Sequence, residues 1–396
     1  MKICDLTQFY SPVSGGVKRY LHEKVAYLHE HTEEDRHILI IPGDSDGMKE
    51  EGRARTYTIR SPLISRTSRY RALLRLESVE RILEREMPDV IESGDPYQVA
   101  WKAVASGDAL RIPVVGFYHS HFPEAYFRSV AKYFGSTATE FVMDLSRRYV
   151  RNLYNRFART LVPSPALGAL LRDWGVENVE NIDLGVNTAV FKPEPDDAEA
   201  TRQELGILNG RTLLLYVGRL ASEKNTRVLF DAFGLLNGRQ PGRFHLLAVG
   251  DGGQRSQLQD LQAATGAVTW FSYCGDMLQL ARYYRAADLF VHPGVQETFG
   301  LVALESQACG TPVVGIAGSY MDRIIFNSQQ DWARENSGPA LAQAIQEAAD
   351  ANLAKTGRAT SQTVRSLYSW TSVFDRLFAI YRNVVQNYGQ PCRKTS

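Results

Sequence analysis

The chain has 396 residues, 44% hydrophobic and 22% charged, the balance of a packed globular protein and not of a disordered one. That length exceeds one ordinary core and points to two domains of about two hundred residues each. A formal charge of +1 gives a nucleic-acid partner no support.

Four scattered cysteines, Cys4, Cys274, Cys309 and Cys392, form no C-x-x-C pair and suit a reduced, cytoplasmic chain. No apolar run approaches the roughly 18 residues of a membrane span, and K-I-C-D-L at the start lacks a signal-peptide core. A soluble or peripheral protein is expected.

In chain order, K-I-C-D-L-T-Q-F-Y reads as a buried strand, S-P-V-S-G-G-V as a loop, and Val17 to His29 as a helix. Gly15 and Gly16 at this junction let backbone approach a ligand closely, and a simple turn has the same signature. Strands follow at His37 to Ile41, Arg55 to Ile59, Val90 to Ser93, Val114 to Tyr118 and Thr160 to Val162, with helical patterns between most of them. Such alternation predicts a parallel sheet covered by helices, with ligands at the carboxyl ends of its strands. Three loops there carry chemistry: Ser14-Gly15-Gly16, Glu92 to Tyr97 with Asp95, and Tyr118 to Pro123 with His119 and His121. The two histidines have a metal-ligand spacing but no convincing third ligand, so no metal is expected. Asp44-Ser45-Asp46 reads as a turn before it reads as a metal triplet.

Two stretches are rich in arginine, Arg53 to Arg85 and Arg128 to Arg159, the second interleaved with Phe141, Tyr149, Tyr154 and Phe157. They read either as solvated helix faces over core aromatics or as a basic amphipathic surface for anionic lipid or an anionic acceptor. Pro193 to Asp197 is linker-like, with a new helix beginning over Thr201 to Leu205.

The second half opens on T-L-L-L-Y-V-G-R-L-A-S-E-K-N, an apolar strand running into Gly218 with Arg219 and Lys224 in the following loop. Two cations at a strand's carboxyl end can neutralise a diphosphate, with Glu223 orienting one of them; surface charge is the alternative. F-H-L-L-A-V-G-D-G-G ends another strand, where Gly250 marks either a nearby nucleotide or a tight turn. Cys274 lacks a His/Asn set in its sequence neighbourhood, which argues against a catalytic thiol. Val291 to Gly310, V-H-P-G-V-Q-E-T-F-G-L-V-A-L-E-S-Q-A-C-G, passes from an apolar run through a turn into a short helix ended by Gly310 and Pro312. Glu297 precedes that helix and Glu305 lies about two turns along the same face. Thr298, Phe299, Gly300 and Leu301 occupy the helix start, where unpaired N–H groups and the dipole favour an anion. Further helices are expected over Gly338 to Ala351 and from Tyr368 to Val385, the latter strongly amphipathic, with a frayed tail from Pro391 to Ser396.

The 291–310 string resembles the E-x7-E signature of the retaining glycosyltransferases of family four, matching through E-T-F-G-L and C-G-T-P-V-V, and G-R-x-x-x-x-K at 218–224 matches that family's diphosphate motif. N-x-x-x-F-K-P at 187–193 resembles its interdomain connection. The resemblance implies an α/β protein of GT-B fold, with two Rossmann-like doubly wound domains facing a cleft. An acceptor domain would cover 1–192 and a donor domain 193–375, with a helix at 376–396 crossing back to the first. By the same resemblance Glu297 and His119 lie against the donor sugar, and Glu305 binds the nucleotide ribose. Arg219, Lys224 and the 298–302 backbone, Val302 included, hold the diphosphate, under a loop carrying Gly15 and Gly16. Gly218, Gly250, Cys274 and Gly275 adjoin the nucleotide, and Asp95, Tyr97 and His121 are acceptor-side candidates. The implied substrates are a nucleotide diphospho-sugar, UDP-glucose before GDP-mannose, and a lipid, saccharide or small-molecule acceptor. No cofactor or metal is expected, and contact with the inner face of an anionic membrane is an expectation of the basic stretch. After Gly315 this chain departs from the family pattern, running G-I-A-G-S-Y-M-D-R-I-I-F in place of a glycine-rich turn.

Two other classes stand beside this one: a nucleotide-sugar hydrolase or epimerase on the same fold, marked by donor turnover without any acceptor, and a non-catalytic nucleotide-sugar-binding protein, marked by binding without turnover. A phosphorylase would need a lysine-bound cofactor and a longer chain.

Overall fold

The computed structural model describes residues 1–11, 16–64, 69–119, 136–295, 299–319, 323–326 and 332–389, with backbone alone at 136–139 and 195–196. The chain forms two compact units, Met1–Leu184 with Trp370–Ser396, and Gly185–Ser369.

The first unit runs β1 (Lys2–Leu6), α1 (Gly16–His31), β2 (Arg36–Gly43), β3 (Gly47–Glu51), β4 (Ala54–Arg60), α2 (Leu76–Glu86), β5 (Val90–Ser93), α3 (Gln98–Leu110), β6 (Val114–Phe117), α4 (Ser136–Tyr154), β7 (Arg159–Val162), α5 (Pro165–Asp173) and β8 (Val179–Asn181). The second runs α6 (Pro195–Glu204), β9 (Thr212–Val217), a single 3₁₀ turn (Ser222–Lys224), α7 (Thr226–Arg239), β10 (Phe244–Val249), α8 (Arg255–Thr265), β11 (Val268–Phe271), α9 (Met277–Ala286), β12 (Leu289–Val291), α10 (Leu301–Ala308), β13 (Val313–Val314), α11 (Gly338–Asp350) and α12 (Leu353–Leu367). The last helix, α13 (Trp370–Asn387), belongs to the first unit.

The first sheet has the order β3-β4-β2-β1-β5-β6-β7-β8 and the second β11-β10-β9-β12-β13. All pairings are parallel except β3 with β4. Central strands such as β5, β10 and β12 are buried along their whole length, as parallel strands covered on both faces must be. In each sheet the winding reverses beside a first strand, between β1 and β5 and between β9 and β12. Loops at those two points diverge and leave a crevice at the carboxyl ends. The E-x7-E helix α10 is seated on α12 through glycine: a Cβ on Gly357 would fall 1.9 Å from the Gly310 carbonyl. Both ends of the second unit lie together, since Val186 and Ser369 form a parallel β-bridge and the Val186 N–H donates to the Tyr368 carbonyl at 2.7 Å.

Two readings are corrected. The exposed strand β3, G-M-K-E-E, is absent from the sequence reading because it has a single apolar side chain and no alternation, and it gains its order from pairing with β4. The stretch read as a linker at 193–197 already contains the start of α6, with Pro195 in its first turn; proline there forfeits no intrahelical donor and acids favour the positive end. The compact units meet after Leu184, and the chain re-enters the first at Trp370. Trp370, Val373 and Phe374 are buried, so the helix packs with the first unit from its first turn.

Candidate active site

The expected site residues fall into one group in each unit. In the first, the crevice between β1 and β5 holds a small pocket lined by Asp5, Leu6, Thr7, Val17, Leu21, Glu92, Gly94 and His119. Gly16 begins α1 above it, while Gly15 and His121 lie outside the described residues. Gly94 leaves room at the crevice, since a Cβ there would come within 3.3 Å of Thr7 and 3.6 Å of the His119 ring.

His119 stacks face to face on Phe117, with centroids 4.0 Å apart and planes 2° from parallel, and takes the edge of Tyr20 at 5.2 Å. Burial first and the nearby Lys24 ammonium second hold its imidazole down at about 3, so the ring is neutral at physiological pH. Asp95 is buried and its two oxygens accept the backbone N–H of Gln8 at 2.8 Å and of Tyr97 at 3.4 Å. That carboxylate ties the loop after β1 to the start of α3. Burial raises it to about 6. Tyr97 lies edge-on to Phe9, centroids 5.6 Å apart. Asp44 and Asp46 each pair with an arginine, Arg71 and Arg75, in the turn from β2 to β3.

Sequence reasoning missed the group beneath His119. Asp5, Lys24 and Glu92 are at most 2% exposed, and Lys24 Nζ donates to Asp5 at 2.8 Å, Glu92 at 3.1 Å and the Tyr381 hydroxyl at 3.0 Å. Burial opposes ionisation of Asp5, yet Lys24 and His37 hold its carboxyl well below the usual range. A signal existed: Lys24 falls in register with Tyr20, Tyr27 and Leu28 on the buried face of α1, and Asp5 and Glu92 interrupt otherwise apolar strands.

In the second unit, Arg219 follows Gly218 and pairs with Glu223 at 3.1 Å, both side chains exposed. Asn225, also missed, closes the 3₁₀ turn in a left-handed conformation at φ 57°. Its amide donates to the Pro293 carbonyl at 2.9 Å and to Asn336 at 2.6 Å, tying the Arg219–Lys224 loop to the loop after β12. The loop bearing both cations is thus fixed at the β9/β12 crevice through the Asn225 side chain. Gly300 enters α10 at φ 83°, with Phe299 buried and Leu301 and Val302 half-buried in the first turn. Glu297 and Thr298 lie outside the described residues. Glu305 is buried and accepts the Tyr284 hydroxyl at 3.0 Å.

Gly250 is required by packing: at φ 146°, a Cβ would fall 1.8 Å from the Gly218 carbonyl, so two strand-end loops meet backbone to backbone. Cys274 donates to the Asp276 carbonyl at 3.3 Å and burial raises its thiol, which disfavours a thiolate; a Cβ on Gly275 would meet the Tyr273 ring at 2.9 Å. Where the sequence departs from the family pattern, Gln307 of α10 clamps the chain, donating to the Ile324 carbonyl at 2.7 Å and accepting the Phe326 N–H at 2.8 Å. Arg323 is thereby held over the Phe299 ring at 5.3 Å, adding a cation beside the start of α10. Among the described residues no cluster of three His, Cys, Asp or Glu side chains could hold a metal ion, and no helix is long and apolar enough to cross a membrane.

Comparisons with known proteins identify the family and the fold. A family model for glycosyl transferases group 1 matches residues 197–363, and one for glycosyltransferase family 4 matches 14–190. A GDP-mannose-dependent alpha-mannosyltransferase of Corynebacterium glutamicum is 30% identical over 82% of this chain and 74% of its own length. An alpha-monoglucosyldiacylglycerol synthase of Streptococcus pneumoniae is 28% identical over 60% of this chain and 54% of its own. Among solved structures, sucrose-phosphate synthase from Thermosynechococcus elongatus superposes with a TM-score of 0.73 at 23% identity, covering 97% of this chain and 99% of that one. Two parallel-sheet α/β units, this likeness of fold and both domain matches lead to one conclusion: the chain is a glycosyltransferase of GT-B fold and belongs to family 4 of the group 1 glycosyl transferases.

Proposed function

We propose that the protein is a retaining, metal-independent hexosyltransferase that moves a sugar from a nucleotide diphospho-sugar to an acceptor hydroxyl. The observation that carries this reading is the anion-favouring arrangement of the second unit, where a fixed loop with Arg219 and Lys224 and the open N-terminal turn of α10 serve the same crevice. As the bond from the anomeric carbon to phosphate breaks, its electron pair stays on the diphosphate. Arg219, Lys224 and the backbone N–H groups of 298–302 neutralise that charge, the part a metal plays elsewhere. The acceptor oxygen bonds to the anomeric carbon on the same face, and its proton passes to the departing phosphate oxygen. Glu297 and neutral His119 hold the sugar hydroxyls, and Glu305 the ribose.

The relative aligned over most of the chain carries GDP-mannose in its name, which supports GDP-mannose ahead of UDP-glucose as donor. The synthase of a glucosylated lipid supports a lipid acceptor. So does α4, which exposes Phe141 at 70% and Leu145 at 58% beside Arg147, Arg148 and Arg151, a combination suited to peripheral contact with an anionic cytoplasmic membrane face.

The test is thermal stabilisation and turnover with guanosine, uridine and adenosine diphospho-sugars, beside Glu297→Ala and Lys224→Ala, with the product's anomeric configuration read by NMR. Stabilisation by GDP-mannose, retained configuration and lost turnover in both variants are expected. Turnover unchanged by added acceptors would move the protein to the hydrolase class, and binding without turnover to the non-catalytic one. Sedimentation with anionic but not neutral vesicles, abolished by Phe141→Glu, tests the membrane contact.

A further inference from the structure

The Lys24 cluster draws together five elements of the first unit. Lys24 and Tyr20 come from α1, Asp5 from β1, Glu92 from β5, His37 from β2 and Tyr381 from α13. Their polar atoms are matched almost completely. Lys24 spends three donors on Asp5, Glu92 and Tyr381. Glu92 also accepts the Tyr20 hydroxyl at 3.1 Å and the Tyr381 hydroxyl, and the second oxygen of Asp5 meets His37 Nε2 at 2.5 Å.

Stability gives no reason to keep such a group. Desolvating three charged side chains costs as much as their attraction returns, and apolar residues of the same volume would serve the fold at least as well. Its location supplies the reason: Asp5 and Glu92 line the same pocket as His119. The contact between them is Tyr20, whose ring lies edge-on to His119 at 5.2 Å, carries the Lys24 ammonium 4.4 Å from its centroid, and is fixed at its hydroxyl by Glu92.

We propose that this cluster is the positioning platform of the first-unit site, with Tyr20 setting the plane of the His119 ring and Tyr381 making the C-terminal helix part of that site. The inference rests on the sugar-holding role given to His119 above. Face-to-face stacking on Phe117 fixes one side of the ring, and only Tyr20 among the described neighbours is itself anchored by charge on the other. Among the described residues, Lys24 and Tyr20 from α1, Asp5 from β1, Glu92 from β5 and, through Glu92, Tyr381 from α13 are the titratable groups on the ring's side of the cluster. Lys24 is the cation among them, and it makes a second proton on the imidazole costly.

The test uses the full chain carrying Tyr381→Phe and Tyr20→Phe, each of which keeps the ring and removes one hydroxyl. Each is also combined with His119→Ala. Two readouts are taken: kcat and KM for the donor from about pH 5 to 8, and the ring resonances of His119 by NMR. The expected result is a fall in kcat of roughly tenfold or more with KM for the donor nearly unchanged, since a shifted ring misplaces the sugar. The His119 resonances should move, and neither hydroxyl deletion should cost more once His119 is alanine. Unmoved resonances, or losses that add to that of His119→Ala, overturn the platform. A fully active His119→Ala overturns instead the role given to His119, and the resonances in Tyr381→Phe then still decide whether the cluster sets the ring. Should Tyr20→Phe fail to fold, Tyr381→Phe carries both readouts.

Discussion

Lys24 and Arg219 each stand beside the central strand of a parallel sheet, yet the Lys24 side chain has no exposed surface while that of Arg219 is 66% exposed. Both have acidic partners. Those of Lys24 are buried with it, so its charge is committed within the protein. Glu223, the partner of Arg219, is an exposed neighbour four residues on in the same loop, and exposed pairs contribute only about 0.2–1 kcal/mol. A ligand phosphate can take Glu223's place at little cost. Cations of the same charge thus divide by burial into one that organises the fold around a site and one that is available to it.

Removing each cation should separate the two roles. Lys24→Met strands Asp5 and Glu92 in the interior and should cost about 3–5 kcal/mol of unfolding free energy, measured by urea denaturation; a loss below about 1 kcal/mol would contradict an internally committed charge. Arg219→Ala should leave the urea midpoint nearly in place and lower kcat by about 10²- to 10³-fold, as for loss of one electrostatic stabiliser of a transition state. Equal losses of stability and turnover would erase the distinction. Gly250→Ala disturbs the loop junction without touching a charge and should cost about 1–3 kcal/mol from backbone strain. A variant as stable as the native protein would mean that the two loops do not meet at Gly218.

The smallest expected effect has a defined sign. Burial, with Asp5 adding and Lys24 opposing, raises Glu92 to about 7 from an ordinary 4.5. The folded state therefore binds that proton more tightly than the unfolded chain does. Its contribution is complete below pH 4.5 and is lost as pH climbs through 7. Relative to Glu92→Gln, the native urea midpoint should decline across that window, and a rising difference would reverse the assignment.

Much of this was legible in the sequence because it is local. Apolar runs ending in glycine gave β9 and β10, and the spacing of Glu297 and Glu305 with Gly310 and Pro312 gave α10. What was not legible depends on distant partners. Lys24 meets Tyr381 across 357 positions, Asn225 reaches Pro293 across 68, and the exposed strand β3 exists through its neighbour. Gly250 shows the remaining ambiguity, since a glycine that admits a ligand and one that admits another backbone have the same letter. The start of α6 was legible and misread: Pro195 followed by two aspartates is a helix opening, and composition alone made it a linker.

The β-bridge between Val186 and Ser369 has a consequence for how such proteins can be rebuilt. It sutures the two ends of Gly185–Ser369, so that the second unit is an insert whose entry and exit are neighbours. A segment with adjoining ends can be excised and its host chain rejoined through a short bridge from Leu184 to Trp370, or exchanged whole for the corresponding segment of a relative, without re-threading either sheet. Exchange of segments has a ready seam at those two positions, where the second sheet can be traded as a cassette while the first sheet and its closing helix are inherited intact.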